Sequence, residues 1–292
     1  MVAGDPAVEL VEAARALRRL ADALGVDLRP VFVDAPDEGG DAGAVAALED
    51  ADVESPFAPL EVTTAVLGVD GCRSGWVGAV LAPGRPRPSV VVAGSLEALV
   101  ETVREQHPEL VVVGVDIPIG LPDSGLRAAD RLARQALPGK ASSVFTTMTR
   151  PAWSAPDRAA ADAINRPLTG QGVSAQSFAL TPKVLEADRY VRSRPTVRVL
   201  EVHPEVSFAA MAGAPVQPGK RTEEGVAARL DVLRQVGLLP PSVLSGSGYG
   251  TDDVLDAVAV AWTAHRYATG AAHSLPDPPE TASDGIAAAI WV

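Results

Sequence analysis

Acidic residues stand where the apolar runs of this chain end. Asp70 closes the run Ala65 to Asp70, and Asp116 follows the run Leu110 to Val115. Asp is depleted in strands, so a carboxylate at the close of a buried run asks for a reason beyond propensity. The carboxyl ends of strands are also where open α/β sheets place their sites. Further on, Asp253 and Asp256 are three residues apart and share a helix face. Asp252 and Asp253 suit a first helical turn, where negative charge meets free amides and the macrodipole. Asp256 follows Leu255 in a stretch apolar nearly all round, where a carboxylate is costly unless paired or bound to metal. The segment Glu201-Val202-His203-Pro204-Glu205 sets two carboxylates and an imidazole at another strand end. Glu205 is a candidate metal ligand or a cap for the helix Val206 to Met211, Glu201 is a second candidate ligand, and His203 reads as structural. Taken singly, Asp70 and Asp116 also have a plain reading as caps of turns or helices.

These residues need elements to hold them. Ala65 to Asp70 and Trp76 to Ala82 are strand-like runs joined by Gly71-Cys72-Arg73-Ser74-Gly75, which suits a hairpin, and Val90 to Ala93 extends it to a meander. Ser95 caps a helix with Leu96, Leu99, Val100 and Val103 on one face. Leu110 to Val115 is uninterrupted and β-branched, the pattern of a strand buried on both faces in a parallel arrangement. Pro118 and Pro122 prevent its continuation. Thr196 to Val202 predicts another strand, and Thr222 to Val236 and Asp252 to Thr269 predict two late helices. An apolar stripe Leu10, Ala14, Leu17, Ala21 and Leu24 predicts a helix from about residue 6, ended by Gly25. From Asp34 to Glu61 the composition is that of a solvated linker, so the expected organisation is an acidic N-terminal helix and linker over 1–64 and an α/β domain over 65–292.

Among 292 residues, 47% are hydrophobic and 21% charged, which excludes fibrous and disordered classes. The single cysteine, Cys72, allows no internal disulfide and no thiolate cluster. Residues 1–25 carry Asp5, Glu9, Glu12 and Asp22, unlike a signal peptide, and no apolar run approaches the roughly 20 residues of a membrane span. A cytoplasmic protein is the expectation. The net charge of −12 argues against nucleic acid until it is divided along the chain. Residues 1–64 hold 14 acidic and 4 basic residues, net −10, whereas 127–198 hold 12 basic and 5 acidic, net +7. That basic stretch, within an insertion at about 123–195, could face phosphates or simply line solvated helices.

In order and spacing, Gly68-Val69-Asp70-Gly71-Cys72-Arg73-Ser74-Gly75-Trp76, Val115-Asp116-Ile117-Pro118-Ile119-Gly120-Leu121-Pro122, Ser142-Ser143-Val144-Phe145, Pro182-Lys183, His203-Pro204-Glu205-Val206-Ser207-Phe208 and Asp252-Asp253-Val254-Leu255-Asp256-Ala257 resemble a bacterial and archaeal family of unknown function described as predicted RNase H-like nucleases. The resemblance spans about residues 65–292. It implies a ribonuclease H-like α/β fold: a mixed five-stranded sheet in the order 3-2-1-4-5, strand 2 antiparallel and strand 4 parallel beside strand 1, flanked by helices. That fold would bring Asp70 and Asp116 onto neighbouring strands with Asp253 and Asp256 facing them. Converging carboxylates cannot all stay ionised without a cation, and oxygen-only ligands favour Mg²⁺ or Mn²⁺. The resemblance therefore implies a metal-dependent nuclease, with Asp70, Asp116, Asp253 and Asp256 catalytic and metal-ligating and Glu205 a further candidate ligand; Arg73, with Arg150 and Lys183 of the basic stretch, is expected on the phosphates of DNA or RNA. Two alternatives stay open. One is a non-catalytic binding or regulatory protein that keeps the fold. The other is an actin-like or sugar-kinase-type phosphotransferase, which Asp70-Gly71 with Ser74-Gly75 partly fits. Such enzymes, however, enclose ATP between two copies of the core, and about 228 residues hold one copy and an insertion.

Overall fold

A computed structural model describes residues 57–292. The helix expected from about residue 6 to Leu24, with most of the acidic arm, lies outside the described residues. The folded body reaches back past Thr64: the Leu60 N–H donates to Gly237 O at 2.9 Å, and Val62 is buried in the core.

Seven strands form one mixed sheet in the order β3-β2-β1-β4-β5-β7-β6. The first three, β1 (Val66–Cys72), β2 (Gly75–Ala82) and β3 (Arg85–Ala93), make the expected antiparallel meander. After α1 (Leu96–Gln106), strand β4 (Val112–Val115) pairs parallel with β1, and β5 (Arg198–Val202) pairs parallel with β4. Ser95 accepts from the Ala98 N–H and caps α1, whose buried face is Leu96, Leu99, Val100 and Val103. The insertion between β4 and β5 folds as α2 (Ala128–Ala136), the short α3 (Arg150–Trp153), α4 (Arg158–Thr169), α5 (Ala175–Ala179) and α6 (Thr181–Arg192). Then come α7 (Pro204–Ala212), α8 (Glu223–Gln235), α9 (Thr251–Ala268), β6 (Ser274–Thr281) and β7 (Ala287–Trp291).

The sheet thus has seven strands where five were expected. Both additions lie beyond β5, and β6 is the outermost strand. Its sequence carries Pro276, Pro278 and Pro279, which remove ladder donors and are tolerated only where one side of a strand needs none. No described helix is long and apolar enough to cross a membrane.

Side-chain alternation divides the core. Val66 of β1 and Val112 of β4 point to one face, packed under α9, while Leu67, Val69, Val113 and Val115 point to the other, packed against α1 and the insertion. Gly68 and Gly114 fall on the α9 side. A Cβ at Gly68 would meet Ala261 N at 2.1 Å and Ala257 O at 2.2 Å, and one at Gly114 would meet Val260 Cγ1 at 2.8 Å. Two glycines in adjacent strands therefore let the helix backbone rest directly on the sheet, at a spacing no other residue permits.

Candidate functional site

The same alternation carries Asp70 and Asp116 onto the α9 face. Val69 pairs with Val115 across the parallel β1/β4 ladder, and the Asp116 N–H donates to Val69 O at 2.9 Å. The two aspartates are therefore the next residues on adjacent strands. On α9, Asp253 and Asp256 lie one turn before the residues that touch Gly68 and Gly114, which aims that end of the helix at the two strand ends.

Each carboxylate has a distinct environment. Asp70 accepts from the Gly71 N–H at 2.7 Å. Burial, then repulsion from Asp116 and Asp256, holds its pKa well above the usual range. Burial pushes Asp116 up to about 7, with Lys220 opposing and Glu205 adding repulsion. Burial likewise pushes Asp256 up to about 6 against the pull of Lys220. The helix residue Asp256 is 2% exposed, and its Oδ1 is buried with no hydrogen-bond partner. Asp253 turns Oδ2 back to the Gly250 N–H at 2.9 Å and caps its own helix.

Beside Asp256 stands a residue that sequence pattern did not single out. Lys220, from the loop between α7 and α8, sets its Nζ 2.5 Å from Asp256 Oδ2. Burial works against this ammonium, yet Asp256, with Asp70 and Asp116 behind it, raises its pKa. A single lysine in a Gly-rich loop, 36 residues from its partner, has no periodicity to betray it.

The two glutamates go elsewhere. Glu205 begins α7 close enough to repel Asp116 and Asp256, but both its oxygens are engaged: Oε1 by Arg229 at 2.5 Å and Oε2 by Lys140 at 3.1 Å. Glu201 points to the opposite face of the sheet from Leu200 and Val202. There it accepts from Arg127 and from the Ile119 N–H at 2.7 Å, and burial pushes its carboxyl up to about 7. His203 meets Ser143 O through Nε2 at 3.3 Å.

Of the three basic residues expected at phosphates, two already have partners. Arg150 pairs with Asp188 at 3.0 Å and with Asp284. Lys183 donates to Gly75 O and lies 4.1 Å from the centre of the Trp76 ring. Arg73 is exposed, and no ion pair engages it among the described residues. It lines a cleft of about 500 Å³ together with Arg221, Tyr249, Asp253 and the glycines 71, 246, 248 and 250. The Ser74 N–H donates to Gly248 O at 3.1 Å, tying the β1–β2 turn to the loop that leads into α9. Since Gly71 follows Asp70 and Asp253 precedes Asp256 by one turn, the cleft opens beside the carboxylates. Arg221 at its edge pairs with Asp252 at 2.8 Å.

The fold and site define an α/β protein whose mixed sheet presents aspartates from two parallel strand ends to the long helix α9. The chain belongs to the family described as Protein of unknown function (DUF429), which it matches over residues 68–281. Among curated proteins and solved structures, none matches it.

Proposed function

We propose that this protein is an RNase H-like, Mg²⁺- or Mn²⁺-dependent hydrolase of phosphodiester bonds in nucleic acid. The observation that carries the reading is that Asp70 and Asp116 end adjacent strands on the face covered by Asp256 of α9, near enough for the carboxylates to repel one another, with Asp256 Oδ1 buried and left without a partner. The order β3-β2-β1-β4-β5, with β4 parallel beside β1, supports the fold reading, β7 and β6 being additions at one edge.

The donor set fits a hard divalent cation: carboxylate oxygens only, in surroundings that penalise uncompensated charge. Among the described residues no group of three acidic, histidine or cysteine side chains stands close enough to hold a metal ion; Asp256 Oδ2 is engaged instead by Lys220 Nζ at 2.5 Å. Asp70, Asp116 and Asp256 would hold the ion, with Asp253 at the cleft side; Glu205, engaged by Arg229 and Lys140, would shape the wall. A bound divalent ion supplies charge neutralisation and Lewis acidity for phosphodiester cleavage. Arg73 and Arg221 at the cleft would fix the phosphate backbone. Among the described residues there is one sheet, half of what a two-lobed phosphotransferase uses to enclose ATP.

The test is cleavage of end-labelled single- and double-stranded DNA and RNA by the full chain, with Mg²⁺, with Mn²⁺ and with chelator. Cleavage that needs the metal and falls at least about 10²-fold in Asp70→Asn and in Asp116→Asn is expected, ligand loss exceeding the 10–100-fold typical of residues that merely support a ligand. Activity untouched by chelator, or equal in the variants, would refute the proposal.

A further inference from the structure

We infer that Lys220 is a built-in second cation, so that this site takes one divalent ion rather than two. The inference rests on the reading of the carboxylates as a metal centre and concerns how many ions they accept.

The argument is a charge count over the elements packed around the spot. β1 contributes Asp70, β4 Asp116, α9 Asp252, Asp253 and Asp256, and α7 Glu205. Three of these are answered locally. Glu205 lies between Arg229 and Lys140, Asp252 pairs with Arg221, and Asp253 takes the Gly250 N–H at the positive end of its own helix. The second cation on Glu205 offsets the charge that Asp253 keeps, so Asp70, Asp116 and Asp256 remain, a formal −3, and among the described residues Lys220 is the cation that acts on all three. The residual −2 matches one divalent ion. Two ions beside the ammonium would leave a formal excess of +2 in a buried place, a charge that low-dielectric surroundings punish heavily. Without the ammonium, two ions would leave +1, which the single negative charge of a phosphodiester could answer.

The Lys220 side chain is 37% exposed, but the loop that carries it is anchored through its neighbours. Pro218 O, two residues before it, accepts from the fully buried Arg229 at 3.2 Å and from Lys140 at 3.4 Å. Gly219 O accepts from the Thr222 N–H at 3.0 Å, and Thr222 caps α8 by accepting from the Gly225 N–H at 3.0 Å. A Cβ at Gly225 would lie 1.8 Å from Gly219 O, so the loop is seated directly on the first turn of α8. The cations that hold Glu205 thus also hold the loop that delivers Lys220. Paired two-ion sites place their metals about 3.5–4 Å apart with carboxylates between them, and Lys220 Nζ already occupies one carboxylate oxygen of Asp256.

The experiment is calorimetric titration of the full chain with Mn²⁺, followed by paramagnetic resonance of the loaded protein. Wild type should bind one ion and show the resolved hyperfine spectrum of an isolated Mn²⁺. Lys220→Ala should bind two and show the exchange-broadened spectrum of a coupled pair, and Lys220→Arg should return to one. Should the alanine variant fail to fold, Lys220→Gln replaces it, and the wild-type stoichiometry decides by itself. Two ions in wild type, or one in the neutral variant, would overturn this inference and leave the metal centre standing. No binding by wild type would overturn both.

Discussion

Asp116 shows how a residue legible in sequence acquires its chemistry from partners that are not. The end of a β-branched run located it, whereas its pKa of about 7 comes from burial and from the repulsion of Glu205 against the pull of Lys220, both of which lie far along the chain. The same holds for Glu201 and Glu205. Their spacing marked them both, but Arg127, 74 residues away, claims the one, and Arg229, 24 residues away, claims the other. No local pattern announces such pairings. A raised carboxyl pKa has a signed consequence for stability. Between the unfolded value near 4 and the folded value near 7, the folded state binds more protons than the unfolded, so stability falls as pH rises through that window. In chelator, the melting temperature of wild type should decline from about pH 5 to pH 8. Asp116→Asn should flatten that decline and melt about 2–4 °C higher at pH 8, the shift of roughly 1 kcal/mol in a domain of this size. A variant with the wild-type slope would show that Asp116 is not destabilised by its surroundings.

The elements were legible to the degree that packing followed local pattern. The first two strands, the capped helix α1 and the two late helices appear close to their expected limits, because alternation and capping are local signals, whereas β3 starts at Arg85 rather than Val90. The outer strands β6 and β7 escaped. Three prolines in β6 argue against a strand unless its edge position is known, and Ala287-Ala288-Ala289 in β7 has little strand propensity. Gly68 and Gly114 were visible as letters but not as a seat for α9, since the close approach depends on helix residues 257 to 261, far along the chain from either glycine. Gly68→Ala should lift α9 from β1 and destabilise the protein by at least about 1–3 kcal/mol, the cost of overpacking a tight core. Through the displaced aspartates it should also weaken Mn²⁺ binding. Gly84→Ala is the control for lost glycine flexibility, because its added Cβ meets nothing within 4 Å although φ is +70°. Equal metal affinity in Gly68→Ala and wild type would show that the carboxylates do not depend on the seating of α9.

Over the whole molecule, the formal charge of −12 hides an uneven distribution. The basic stretch 127–198 folds into the insertion, where Arg150 and Lys183 are bound internally, while the exposed Arg73 and Arg221 flank the cleft beside the acids. The proposed phosphate contact therefore falls next to the carboxylates rather than across the insertion. Composition could not indicate this, because it counts arginines without their partners. Every part of the account depends on the spot between β1, β4 and α9 being a cation site. Diffraction from crystals soaked in Mn²⁺, with data collected to locate the metal by its anomalous scattering, tests that directly. The account predicts an anomalous peak coordinated by Asp70, Asp116 and Asp256, with Lys220 beside it, and loss of that peak in Asp70→Asn crystals. Manganese bound only elsewhere, or none at this spot at millimolar concentration, would contradict it.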